Sequence, residues 1–111
     1  MPTINQVLLA APFQLTNADA LVYAPPALTT AKIGRAVFSN TDTIAHTITV
    51  NLTTGTSSAA NQLINARTLA PSETYVSPEL AGIVIPAGSS LRGLADVGAK
   101  VTVTISGITV Q

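Results

Sequence analysis

The chain has 111 residues, of which 47% are hydrophobic and only 9% charged, where a soluble domain carries about 25% charged residues. Its five cations (Lys32, Arg35, Arg67, Arg92, Lys100) balance its five acids (Asp19, Asp42, Glu73, Glu79, Asp96) with no run of like charge, so it lacks the clustered basic footprint that phosphate neutralisation demands. Cysteine is absent, which excludes disulfides, thiolate metal sites and cysteine nucleophiles together.

One core fits in a chain of this length. Thr, Ser, Asn, Gln and Ala take the place of the missing charge, so the polar face of each strand is neutral. A neutral chain with few surface charges has little electrostatic repulsion to hold its copies apart. The composition therefore predicts a surface that is largely covered in use.

In chain order, residues 1–18 read as an N-terminal arm or edge strand, and residues 19–111 as the folded domain. Val7, Leu8 and Leu9 form a short apolar run with Pro12 placed to stop it. No cation precedes that run and it is far shorter than a membrane span of about 20 apolar residues. A soluble product without a membrane partner is expected. Leu21–Tyr23 is a short apolar patch broken by Pro25 and Pro26, which have no N–H to donate.

The most regular pattern lies between Ile33 and Leu52. Ile44, His46, Ile48, Val50 and Leu52 alternate with polar or small residues, the period of a strand with one buried face. Ile33–Ser39 is its expected hairpin partner, with Asn40, Thr41 and Asp42 in the turn. The segment TTGTSSAAN after Leu52 predicts a loop tip. Gln62–Leu69, Tyr75–Val76, Ile83–Ile85, Leu91–Ala95 and Lys100–Val110 follow as short strands, separated by proline and glycine turns. In the last of these, Val101, Val103 and Ile105 share a parity that Ile108 and Val110 do not, with Gly107 between them. That predicts a β-bulge, or a crossing from one sheet to the other, near Ser106 or Gly107. Helical periodicity is nowhere sustained, and the fold class expected is all-β: a single antiparallel β-sandwich, jelly-roll-like, with an N-terminal arm or edge strand.

Tests for chemistry return little. His46 is the only histidine, with Ser39 and Asp42 near it in sequence, but nucleophilic catalysis also needs an oxyanion site in a shaped cleft. One histidine without cysteine does not make a structural zinc site. Asn40, Asp42 and Asp96 offer oxygen ligands of the calcium type, although an Asx residue in a turn normally bonds its own backbone. Glu73 and Glu79 lack the aromatic-lined cleft expected of a glycosidase pair, since aromatics are 4% of the chain and tryptophan is absent. No catalytic residue, cofactor or metal is assigned.

The succession AKIGRAVFSNTDTIAHTITVNL, RTLAPSETY, IVIPAGSSLRGLAD and VTVTISGITV resembles small all-β virion proteins of tailed bacteriophages, over residues 21–110. The resemblance implies a non-enzymatic part of the particle, either a capsid decoration (cement) protein or a tail, neck or baseplate component. It implies as partners further copies of the chain, a trimer being favoured, and the major capsid or another virion protein. Val7, Leu8 and Leu9 are candidate contacts through an apolar arm, and Arg35, Arg67 and Arg92 through pairing with a partner's carboxylates. A receptor- or glycan-binding module at a tail tip is the alternative, with the loops Thr53–Ala60 and Gly88–Leu91 forming its concave patch.

Overall fold

The computed structural model describes residues 4–55 and 57–111, so Met1–Thr3 of the expected arm and Thr56 of the expected loop lie outside the described residues. The described residues form nine strands: β1 (Ile4–Gln14), β2 (Ala20–Tyr23), β3 (Thr30–Asn40), β4 (His46–Thr53), β5 (Gln62–Leu69), β6 (Thr74–Val76), β7 (Val84–Ile85), β8 (Ser90–Ala95) and β9 (Val101–Val110). They make two antiparallel sheets. The first runs β1-β9-β3-β6, with β7 also on β3, and the second runs β2-β8-β4-β5.

The pairing is nested. β4 meets β5, β3 meets β6, β2 meets β8 and β1 meets β9, so the chain is one long hairpin wrapped until successive pairs fall on opposite sheets. That is the jelly roll, a sandwich of two Greek keys. Its tip is the predicted TTGTSSAAN segment, where a 3-10 turn at Ala59–Asn61 is capped by Ser58. Buried Asn51 holds the tip down, donating to the Ser58 carbonyl at 2.8 Å and to Asn61 Oδ1 at 2.7 Å.

Alternation along each strand delivers the core. Ala31, Ile33, Ala36 and Phe38 of β3 and Val101, Val103 and Ile105 of β9 face Ile48 and Val50 of β4 and Leu91 and Ala95 of β8, all at 1% exposure or less. Each large side chain so buried contributes about 1.5–3 kcal/mol of transfer free energy. The first sheet's far side is an interrupted strand. β6 and β7 both bond to β3, and the turn between them inserts a fully buried Leu80.

Two expectations are corrected here. Ile33–Ser39 and Ile44–Leu52 do not form a hairpin, because β3 and β4 belong to different sheets and face each other across the core. Both strands have a continuous apolar face, and stacking these faces buries both, whereas pairing the strands edge to edge would leave both on one side. The link is therefore an arch, and Asn40 holds it. Its carboxamide, 1% exposed, donates to the carbonyls of Ile44 (2.9 Å), Leu69 (3.3 Å) and Ala70 (3.1 Å), and its Oδ1 accepts from the Asp42 amide at 3.0 Å. Secondly, Pro12 does not stop the first strand, which continues to Gln14 along β9. β1 is at the sheet's edge, where a residue without an N–H is tolerated.

The bulge expected in the last strand from its change of parity is absent from β9 itself, and the extra residues at the level of Ser106 and Gly107 are on its two neighbours. Against Ser106, β1 slips between Leu8 and Ala10, so that Leu9 is extra. Between Gly107 and Ser106, β3 slips from Ile33 to Arg35, so that Gly34 is extra. β9 itself keeps its parity: Gly107 and Thr109 follow Ile105 on the inward side, and Ile108 and Val110 point outward. A Cβ at Gly107 would fall well inside contact distance of the Lys32 carbonyl oxygen, 3.0 Å from the Gly34 nitrogen and 3.1 Å from Leu9 Cδ1.

Gly107→Ala therefore has to separate β9 from β3, and its cost is expected to be about 3 kcal/mol in urea unfolding. Gly55→Ala, which meets nothing within 4 Å, serves as the comparison, with a change of less than about 0.5 kcal/mol. Asn40→Leu keeps the volume but leaves carbonyls of the arch unpaired. A loss of about 2 kcal/mol is expected by the same measurement.

Candidate interaction surface

His46 and the acids are engaged inside the chain. The His46 ring, 4% exposed, sits between two turns, with Nε2 2.7 Å from Asp42 Oδ2 in the β3–β4 arch and Nδ1 3.0 Å from Asp96 Oδ1 after β8. The hydrogen bond from His46, with another from the Thr43 amide, holds the Asp42 carboxyl below the usual range. Ser39 lies on the opposite, outward face of β3, in register with Thr102 and Thr74, so no Ser-His-Asp relay forms. Asn40 Oδ1 and Asp42 are both occupied by in-chain donors. Among the described residues no cluster of three His, Cys, Asp or Glu could hold a metal ion.

The two glutamates shape turns. Glu73 Oε1 accepts from the Ala70 amide at 2.6 Å. Glu79 accepts from the Tyr75 hydroxyl and, at 3.2 Å, from Ser77 Oγ. The Tyr75 bond is the main cause that lowers the Glu79 carboxyl, while burial first and Glu79 second raise the Tyr75 hydroxyl.

The three candidate arginines have different fates. Arg92 donates from Nε to Asp19 Oδ2 at 2.6 Å and joins the start of β2 to β8. Arg67 on β5 lies 3.9 Å from the centroid of the Tyr75 ring on β6, closing the edge between the sheets by a cation–π contact. Arg35 is exposed, and among the described residues it makes no ion pair or hydrogen bond. The apolar run divides in the same way. Leu9 turns into the core through the β1 bulge, which removes it from any outer surface; Val7 packs against the core's rim, and Leu8 is 55% exposed.

Leu8 and Arg35 are brought together. Leu8, Ser106 and Arg35 form one row across β1, β9 and β3 on the outer face of the first sheet. The next row is Gln6, Ile108, Lys32 and Val84, and the one beyond it is Ile4, Val110 and Thr30. These rows set five apolar residues (Ile4, Leu8, Val84, Ile108, Val110) beside three neutral polar ones (Gln6, Thr30, Ser106) and two cations. Ile4 (66% exposed) and Val84 (47% exposed) belong to it with Leu8. At its middle, where Gly34 contributes no side chain, is a shallow depression of about 500 Å³ lined by Gln6, Val7, Leu8, Gly34, Ser106, Gly107 and Ile108. The β1 edge from Ile4 to Leu8 also carries neither charge nor proline, the devices that normally guard an open strand.

Sequence reasoning missed Lys32, Val84, Ile108 and Val110 as members of this surface. Lys32 and Arg35 are three apart and would face opposite ways in a regular strand; only the extra Gly34 turns both outward. The change of apolar parity after Gly107 was the visible signal for Ile108 and Val110.

A second concavity of about 400 Å³ brings together Thr53, Thr54 and Asn61 near the tip with Val84, Pro86 and Ser89. It joins parts of the two loop regions expected to form a concave patch.

No family model matches the sequence, and no curated protein sequence does either. Among solved structures the chain is similar to one from infectious bursal disease virus, Gx strain (TM-score 0.56, 15% identity), covering 99% of this chain and 32% of that one. It is also similar to a chain of the infectious bursal disease virus VP2 subviral particle (TM-score 0.55, 12% identity), covering 98% of this chain and 32% of that one. This chain thus spans about a third of the length of those it matches. At this identity the likeness shows a shared fold.

Because the Asp42 carboxyl is lowered in the folded chain, its contribution to stability is complete above the ordinary value of about 4 and is lost as pH falls through the folded value. Asp42→Asn removes that contribution at every pH. Urea midpoints of the wild type and D42N are expected to differ at neutral pH and to converge once the pH has fallen below the lowered folded value. A constant gap would contradict the role assigned to the Asp42–His46 pair.

Proposed function

We propose that the chain is a non-enzymatic structural component of a virus particle, and that it is a capsid decoration (cement) protein of the tailed-bacteriophage kind. What supports the reading is one observation above others: the whole chain is a jelly roll that aligns from end to end with part of a chain from a virus particle. Its chemistry points the same way. The histidine and the acids are held by contacts inside the chain, while the outer face of the first sheet mixes apolar with neutral polar residues and is uncharged apart from Lys32 and Arg35.

The mechanism is burial of neutral surface against neighbours, repeated over many copies. Single contacts of this kind are weak, and engaging many of them at once raises the avidity by orders of magnitude. A closed cyclic oligomer, a trimer first, suits the symmetric positions of a shell. The tail, neck and baseplate remain the other sites within a particle. The concavity between the tip and the β7–β8 loop supports a receptor- or glycan-binding module as the second reading.

Particles purified from the host that makes the chain, probed with gold-labelled antibody against it, provide the test. Label distributed over the head is expected. Label confined to the tail tip would replace the decoration reading with the receptor-binding one, and a chain left wholly in the supernatant would end both.

A further inference from the structure

Within that virion reading, we infer that the outer face of the first sheet is the docking surface for a carboxylate-bearing protein partner other than a second copy of this chain. All five acids lie outside the strands of the first sheet; Asp19, Asp42, Glu73 and Glu79 accept hydrogen bonds inside the chain, and Asp96 lies 3.0 Å from His46 Nδ1. Arg67 and Arg92 are likewise engaged, by Tyr75 and Asp19, and Lys100 lies in the β8–β9 turn, outside the strands of the first sheet. Lys32 and Arg35 are left, exposed and without a partner among the described residues, and both stand on this one face.

Two copies meeting through this face on both sides would bring four lysine and arginine side chains together with no carboxylate between them. Like charges across an interface disfavour such a pairing. A head-to-tail contact would have to draw a carboxylate away from its contact inside the chain. A partner that presents carboxylates to Lys32 and Arg35 and an apolar side chain to the depression between Leu8, Gly34 and Ile108 satisfies every feature of the face. Arginine suits the carboxylate because its planar fork donates two parallel hydrogen bonds. Two cations are far too few for a nucleic-acid footprint.

The test uses particles stripped of the chain and re-incubated with the purified full-length protein. Bound protein is measured by co-sedimentation, and the oligomeric state of each variant by sedimentation velocity. The double variant Lys32→Glu/Arg35→Glu and the single variant Leu8→Glu alter exposed positions, so both should fold with unchanged melting. Each is expected to bind at least tenfold more weakly, with oligomeric state unaltered. Lys100→Glu and Lys32→Glu change net charge equally, and only Lys32→Glu should weaken binding by more than twofold.

If the wild type binds and the face variants bind equally well, the inference fails and the virion reading stands. An equal effect of Lys100→Glu, or a change of oligomeric state in the face variants, also overturns it, the latter making this face a contact between copies. No binding by the wild type removes the inference and the virion reading together.

Discussion

The closest constraint in the fold is backbone against backbone. At Gly107 the central strand β9 passes so near the Lys32 carbonyl and the Gly34 amide that no side chain fits between them. Both neighbours yield at that level by gaining a residue, Leu9 on one side and Gly34 on the other. The consequences reach both faces of the sheet. Inward, the β1 bulge places Leu9 and Ala10 in the core together. Outward, the β3 bulge puts Lys32 and Arg35 on one surface and leaves the depression beside Leu8.

The wrapped hairpin makes those same strands the last to be fixed by sequence proximity. β4 and β5 are joined by a short tip, whereas β1 finds β9 across most of the chain. Pairings of such wide separation are slow to form because loop closure must precede the contacts that reward it. The sandwich then protects most of its edges. β5 carries Arg67 and a left-handed Ala66, β2 has four residues, and β6 and β7 are shorter still. The open stretch from Ile4 to Leu8 adjoins the apolar face, so the unguarded edge and the unpartnered surface are one continuous region.

Element existence was largely legible in the residues, since alternation and turn chemistry located the core of every strand but β2, whose four residues were read as an apolar patch broken by Pro25 and Pro26, and the tip at TTGTSSAAN. Partnership was not. Ile33–Ser39 and Ile44–Leu52 each show an apolar face, and that pattern is the same whether two strands share hydrogen bonds or face each other across a core. Asn40 decided the matter by tying the arch to Leu69 and Ala70, a contact 29 and 30 residues away. Pro12 misled because its meaning depends on whether a strand is central or at an edge. For the surface, Arg35 and Leu8 were readable as exposed contacts, but Arg67, Arg92 and Leu9 were claimed by Tyr75, Asp19 and the core, which lie far away in sequence or depend on a bulge.

A molecule with so few charges, most of them spent internally, has a small set of ways to recognise a partner, and the first sheet's outer face holds nearly all of them. The account rests on that face being covered in the assembled particle. A side-chain-resolution map of the intact particle tests this directly. It should show another protein packed on Leu8, Arg35 and Ile108, with carboxylates at Lys32 and Arg35; a first sheet open to solvent, with all contacts made through β2, β8, β4 and β5, would contradict it.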